Sequence, residues 1–423
     1  MGAAITTMRS DGVIESADLV VSSDHFIEEF DSDAADYLDH ILTESLRVSA
    51  SDVFLSFREH SVEIAFRVMG LIRSLGKVNR ELGSRMISHI KATADMDVAK
   101  SFAPQDGRIH IRLRSGGGID LRLSIVPTLY GEDLAMRLLD RRRLISLEEV
   151  GFHPTNFNRL HSIINRPGGL VLVSGPTGMG KTTTLYAALK FLNDGTRKIH
   201  TIEDPIEFTL EGIHQSQVNV RRGVDFPDLL RAILRQSPDI IMVGEIRDAV
   251  TADIVVRAAN SGQLVLATSH ARSTVEACEA MLVLGIQPQF LASGLLGIVT
   301  QRLIRRLCPH CKIPLHPDEL PEGHSDASRQ IFIPAGCPEC QNTGYMGRIA
   351  VGEVLRVTRE VERMIRTGES MYQIHKKAVE EGMIDLRTDA QQKLDDGVTS
   401  PDEILRAIPG NFAESFGAQS DSN

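Results

Sequence analysis

At 423 residues the chain has room for roughly two or three domains, and its 24% charged and 42% hydrophobic residues are those of an ordinary globular protein. No run of about 18 uninterrupted apolar residues exists, since Met281 to Thr300 is broken by Gln287-Pro288-Gln289, and no basic-then-apolar segment opens the chain, which excludes a membrane span and a secretory leader and predicts a cytoplasmic location. The net charge of −10 belongs to the first 40 residues, where ten Asp and Glu face one Arg; with a near-neutral remainder, no Trp and five Tyr for base stacking, a nucleic-acid partner is not expected.

Residues 1–33 are polar, acidic and weakly periodic and read as a disordered leader. Leu38, Ile41, Leu42 and Leu46 then recur at helical spacing. The period changes to two at Val62, Ile64, Phe66 and Val68, which predicts a half-buried strand. Leu82, Met86, Ile87, Ile90 and Ala94 return to helical spacing. A hairpin follows, with Ile109, Ile111 and Leu113 alternating into the Gly116-Gly117-Gly118 turn and Ile119, Leu121, Leu123 and Ile125 alternating out of it. Its polar face carries Arg108, Arg112, Arg114 and Arg122, and Arg137 lies in the next apolar run. This mixture predicts a small α+β domain over 34–140, joined by a linker at 141–153 that contains the basic run Arg141-Arg142-Arg143. Between 154 and 306 strands are predicted at 170–174, 198–202, 240–243 and 264–268, with helices at 182–192, 226–236 and 251–260, the alternation of a parallel α/β sheet. In such sheets ligands bind beyond the carboxyl ends of the strands.

The polar clusters fall at those ends. Gly175-Pro176-Thr177-Gly178-Met179-Gly180-Lys181-Thr182 fits G-x-x-x-x-G-K-[ST] at every fixed position and stands between a strand and a helix that opens on Thr183. The glycines let backbone amides turn toward a polyphosphate, Lys181 reaches the β- and γ-phosphates of ATP, and the Thr182 hydroxyl can ligate Mg²⁺. Glu245 ends the strand of Asp239-Ile-Ile-Met-Val-Gly and can bind Mg²⁺ through water or orient an attacking water; the bland alternative is that it caps the next helix. Glu203-Asp204-Pro205-Ile206-Glu207 makes a rigid acidic turn suited to metal or water, although acidic surface turns are common. His270 can sense the γ-phosphate or be a plain structural hydrogen bonder. Cys308-Pro309-His310-Cys311 and Cys337-Pro338-Glu339-Cys340, 25 residues apart, suit four thiolates on one structural Zn²⁺, whereas Cys278 reads as a small core residue.

These motifs, in this order, resemble the secretion and pilus ATPases of the GspE, PilB and PilT type over about 34–410. The phosphate loop is similar to their Walker A, residues 203–207 to the Asp box, 244–248 to Walker B and 262–270 to the His box. Gln301-Arg302-Leu303 leading into the four cysteines resembles the GspE/PilB branch, since the PilT branch lacks that metal motif. The N-terminal region is similar to the family's PAS-like domain, with Ala50-Ser51-Asp52 and Asp106-Gly107-Arg108 at characteristic positions. The resemblance implies a RecA-like core (154–306), a zinc knuckle (307–349), a C-terminal helical subdomain (350–409) and a tail (410–423). It also implies a homohexameric ATP-hydrolysing motor for type II secretion or type IV pilus assembly, peripheral at the inner membrane through a platform protein and a cytoplasmic docking protein. Glu245, Glu203, Glu207 and His270 would then serve catalysis, and Arg122 and Arg137 would meet the nucleotide across the domain interface. The chain departs from the family at Gln263, at Ser237 and at Ser269-His270-Ala271-Arg272, and the long N-terminal docking domain of many relatives is expected to be absent. Rival readings are a RecA-like nucleic-acid translocase, a pilus-retraction ATPase and a non-hydrolysing assembly factor.

Overall fold

A computed structural model of the chain describes residues 33–114, 116–139, 144–315 and 330–408; the acidic leader before residue 33, the run Arg141-Arg142-Arg143 and the tail from residue 410 lie outside the described residues. The first unit is a six-stranded sheet in the order β3-β2-β1-β6-β5-β4. Its elements are α1 (Ala34–Arg47), β1 (Asp52–Phe57), β2 (Val62–Val68), β3 (Leu71–Val78), α2 (Arg80–Thr93), β4 (Gln105–Arg112), β5 (Gly118–Pro127) and β6 (Glu132–Leu139), with every strand pair antiparallel. Both helices cover one face, where Ile41, Leu42, Met86 and Ile90 pack on Val53, Leu55, Leu121, Leu123 and Met136. Strand pleating sends Asp52, Arg122 and Arg137 to the opposite, uncovered face.

Alternation alone predicts β2, β4 and β5 but not β1 or β3. In β1 the residues Val53, Phe54 and Leu55 are consecutive and apolar, so no period of two shows. Phe54 belongs to the open face, where the Arg67 guanidinium lies over its ring at 5.4 Å. In β3 the pairing slips at Ile64/Ala65, beside Gly76, and the alternation is lost with it.

The second unit is a seven-stranded sheet in the order β15-β12-β7-β11-β10-β8-β9. After α3 (Pro154–Ile164) come β7 (Gly169–Ser174), α4 (Lys181–Leu192), β8 (Ile199–Glu203), β9 (His214–Gln217), α5 (Phe226–Leu234), β10 (Ile240–Val243), α6 (Ala249–Asn260), β11 (Leu264–Thr268), α7 (Thr274–Val283) and α8 (Pro288–Gly294). Then follow β12 (Leu295–Leu307), β13 (Lys312–Pro314), β14 (Phe332–Pro334), β15 (Tyr345–Arg356), α9 (Arg359–Thr367), α10 (Met371–Glu380), α11 (Leu386–Asp395) and α12 (Pro401–Ala407). Neighbours from β12 through β9 pair in parallel and β15 closes the other edge antiparallel. Two apolar layers sandwich the sheet: α5 to α10 on one side, α3 and α4 on the other. The predicted strands and helices of the core are present, while β9, β12 and β15 were not legible. The buried run of β12 shows no alternation, because both of its faces are covered. Cys278 is buried in α7, as expected of a small core residue, and burial pushes its thiol up to about 12.

At the C-terminus the run Ser400-Pro401-Asp402-Glu403 reads as an N-cap, a first-turn proline and a capping-box glutamate, and Ser400 does cap α12 with Pro401 in its first turn. Glu403, which reads as a capping-box glutamate, turns inward instead: it is fully buried, accepts from the Arg305 backbone at 2.9 Å and from its Nε at 2.8 Å, and pairs with Arg406. A buried carboxylate gains more from two guanidiniums than from one backbone amide, which decides the competition. This fixes α12 to the far half of β12.

Candidate nucleotide site and metal centre

The phosphate loop leaves the fully buried β7 and enters α4 through Gly180, whose φ of 80° makes it the left-handed cap of that helix. Gly175 has φ 142°, and a Cβ there would stand 2.5 Å from the Gln301 carbonyl, so β12 presses directly on the loop. Gln301 is 1% exposed and spans the gap: its Nε2 donates to the Met179 carbonyl at 2.7 Å and its Oε1 accepts from Thr184 Oγ1 at 2.8 Å. Gln301 reaches the loop only because β12, late in the chain, pairs with β7, a long-range pairing that no local sequence signal carries.

Lys181 is folded back on the loop, donating to the Gly175 carbonyl at 2.5 Å and the Pro176 carbonyl at 3.3 Å, with His270 Nδ1 at 3.2 Å. His270 Nε2 lies 2.6 Å from Glu245 Oε1, and Glu245 Oε2 is 2.7 Å from Arg247. An imidazole that accepts from Lys181 on one side and donates to Glu245 on the other is the neutral Nε2–H tautomer. The tips of β7, β11 and β10 are thereby joined in one line: lysine, histidine, glutamate. Glu245 does not cap α6; Asp248 does, accepting from Thr251 N at 2.8 Å. Burial pushes the Glu245 carboxyl upward, but hydrogen bonding from Arg247 and the neighbouring His270 outweigh it, so the group sits below its usual value and is ionised at neutral pH.

Burial drives the Lys181 ammonium down to about 8, opposed by Glu245 and reinforced by Arg302. A polyphosphate on the loop would restore the charged form. Because the bound value lies above the free one, nucleotide affinity is expected to be flat below about pH 8 and to fall by up to about tenfold per pH unit above it. Calorimetry at pH 8 in buffers of differing ionisation enthalpy should show uptake of about half a proton per nucleotide; zero uptake would contradict the depressed lysine.

The acidic turn divides. Glu203 is 3% exposed and enclosed by the Tyr186 hydroxyl, Thr201 Oγ1 at 2.6 Å and Gln215 Nε2 at 3.0 Å. Glu207 stands at the lip of the cleft, where protein crowding pushes its carboxyl upward, a hydrogen bond from Thr182 and then Arg137 opposing the shift while Glu203 adds to it. Arg137 therefore approaches the loop from the first unit. Arg122 pairs with Arg137 across β5 and β6 and, like Arg108, has no hydrogen-bonded or ionic partner among the described residues. Thr177 and Gly178 are exposed at the crest of the loop, and Thr183 is exposed on the first turn of α4. An open cavity of about 340 Å³ lies apart from all of this, between the N-termini of α5 and α6; its Asp225 and Asp248 already cap those helices, and it carries no argument about the chemistry.

The four cysteines converge where β12 ends and β15 begins. All four sulfurs lie within 4.8 Å of one another, with Sγ separations of 3.8 Å (Cys308 to Cys337) and 3.7 Å (Cys311 to Cys340 and Cys337 to Cys340). A tetrahedral zinc site with metal–sulfur distances of about 2.3 Å has edges of about 3.8 Å, so the donor set fits Zn²⁺ closely. Backbone amides of Cys337 and Gly344 donate to Cys340 Sγ at 3.2 and 3.1 Å, the arrangement a metal-bound thiolate favours. None of the four is in a disulfide.

Comparison with known proteins agrees with this geometry. The family described as Type II/IV secretion system protein matches residues 28–406. Type II secretion system protein E of Dickeya dadantii is 40% identical over 394 residues, 92% of this chain and 79% of that one. Type II secretion system ATPase E of Vibrio cholerae is 38% identical over 405 residues, 94% of this chain and 80% of that one. Among solved structures, the Legionella pneumophila ATPase DotB superposes with a TM-score of 0.67 at 20% identity, covering 90% of this chain and 97% of DotB. The pilus retraction motor PilT, with bound ADP, gives 0.57 at 23% identity, covering 87% and 99%. At these identities the two structures speak to the fold alone, which is the RecA-like fold of secretion ATPases.

Proposed function

The chain belongs to the type II/IV secretion system protein family, and from that premise we propose that it is an ATP-hydrolysing motor of type II secretion. The observation that carries the reading is the line from Lys181 through His270 to Glu245, drawn across the strand tips directly over a complete phosphate loop. Amides of residues 178–182 and Lys181 hold the phosphates; Thr182 would ligate Mg²⁺, which supplies charge neutralisation at the β- and γ-phosphoryl oxygens. Glu245, ionised and half-enclosed, accepts a hydrogen bond from the attacking water and holds it in line. His270 releases Lys181 to the phosphates on binding and keeps Glu245 aimed. Glu207 supports the metal-bound water shell beside Thr182, Glu203 braces the acidic turn from beneath, and Arg122 and Arg137 neutralise charge as it develops on the terminal phosphoryl.

Identity of about 40% to type II secretion proteins along most of the chain supports secretion over pilus retraction or assembly. The same reading makes the working unit a homohexamer docked peripherally, through a cytoplasmic adaptor, on an inner-membrane platform protein; no helix among the described residues is long and apolar enough to cross a membrane itself. It divides the chain into the PAS-like, RecA-like, zinc-knuckle and helical parts expected above. The decisive test is basal ATPase activity in wild type and in Lys181→Ala: phosphate release that the substitution abolishes supports the motor, and release that survives it removes the loop from the chemistry.

A further inference from the structure

Five charged residues stand side by side across the uncovered face of the N-terminal sheet. The registers Arg67↔Asp52, Asp52↔Arg137, Arg137↔Arg122 and Arg122↔Arg108 run without a gap through β2, β1, β6, β5 and β4. Adjacent strands are about 4.8 Å apart, and like charges directly opposite one another repel. The row holds four guanidiniums and one carboxylate, and that carboxylate is the buried member: Asp52 is 6% exposed. Its Oδ1 accepts from Arg137 Nε at 3.0 Å, and its Oδ2 lies 3.5 Å from Arg67 Nε and accepts from Ser51 Oγ at 2.8 Å.

Arg137 and Arg67 have side chains 59% and 37% exposed, so neither cation depends on Asp52 for its solvation. What Asp52 does determine is where Arg137 stands. It holds the inner nitrogen, Nε, and leaves the two terminal amino groups without a partner among the described residues, while Arg137 acts on the charge of Glu207, which is hydrogen-bonded to Thr182 of the phosphate loop.

We propose that Asp52 is a positioning residue for hydrolysis: it holds the Arg137 guanidinium where the terminal phosphoryl of a nucleotide on the loop meets it, and separates that guanidinium from Arg67. The inference rests on the nucleotide reading above. Misplacing a charge-stabilising group by about 1 Å can cost about a hundredfold in rate while leaving ground-state binding nearly intact. Asp52→Ala in the full-length chain is therefore expected to lower kcat by about ten- to a hundredfold, with KM and the affinity for a fluorescent ADP within about threefold of wild type. Asp52→Asn, which keeps an acceptor for Nε, should recover part of the loss and guards against an Asp52→Ala chain that fails to fold. The Asp52→Ala/Arg137→Ala pair should be no slower than Arg137→Ala alone. Additive losses in the double variant, or an Asp52→Ala kcat within about twofold of wild type, would overturn the proposal. Wild-type chain with no Lys181-dependent hydrolysis would instead bring down the nucleotide reading and this inference together.

Discussion

Replacing Glu245 by Gln is expected to leave nucleotide binding within about threefold of wild type and to slow hydrolysis by about 10² to 10⁴, the range for loss of a positioned base. The amide is isosteric but has one acceptor where the carboxylate has two, so it can accept from Arg247 or from His270 and not from both, while the phosphate loop and Lys181 are left intact. What disappears is the negative charge that the structure maintains there: Arg247 and His270 hold the Glu245 carboxyl ionised against the burial that opposes it. A Gln at that position cannot take up a proton from water as the oxygen attacks. Stopped-flow binding of a fluorescent nucleotide and single-turnover release of phosphate separate the two effects. Turnover near wild type in Glu245→Gln would assign the water to another carboxylate, with Glu207 next in position beside Thr182.

Removing the metal is expected to have the second-largest effect, on stability rather than on chemistry. Zinc on four thiolates is worth about 10–16 kcal/mol in small peptides, and here the cluster closes the end of the β12–β15 pair, the longest ladder of the core sheet. Even a loss of about 3 kcal/mol would lower Tm by about 6–12 °C for a domain of this size, at about 2–4 °C per kcal/mol. Either Cys308→Ser or a strong chelator should therefore release one zinc per chain, lower Tm by several degrees, and open residues 308–315 and 330–345 to proteolysis before the rest of the core. The expected boundary lies at Arg305, where the buried Glu403 pair fastens β12 independently of the metal. A chain that carries no zinc as purified and is indifferent to chelators would rule out the metal centre.

The parts legible in the sequence are those whose signal is local. The phosphate loop, the Cys pairs and the strand of Glu245 each lie within a dozen residues, and the structure brings the first and third together as their place at strand ends implies. The parts that were not legible are made by distant strands. Gln301 and Gly175 are 126 positions apart and become neighbours only because β12 pairs with β7. Asp52 meets Arg137 only once β1 has paired with β6, and β1 itself was hidden by Phe54, an apolar residue that the open face covers with Arg67. Glu403 satisfies the local rule for a capping box, and Arg305 of the distant β12 overrides it. Local chemistry thus locates the site, while tertiary pairing decides which side chains brace it.

A structure of the chain with Mg²⁺ and a non-hydrolysable ATP analogue would test the reading most directly. The phosphates should lie on the amides of residues 178–182, with Lys181 Nζ withdrawn from the Gly175 carbonyl and His270 and moved onto the β- and γ-phosphates, and with the Glu245 carboxylate turned to the terminal phosphoryl. A loop still closed on its own lysine, with the analogue bound elsewhere or with Glu245 facing away, would contradict it.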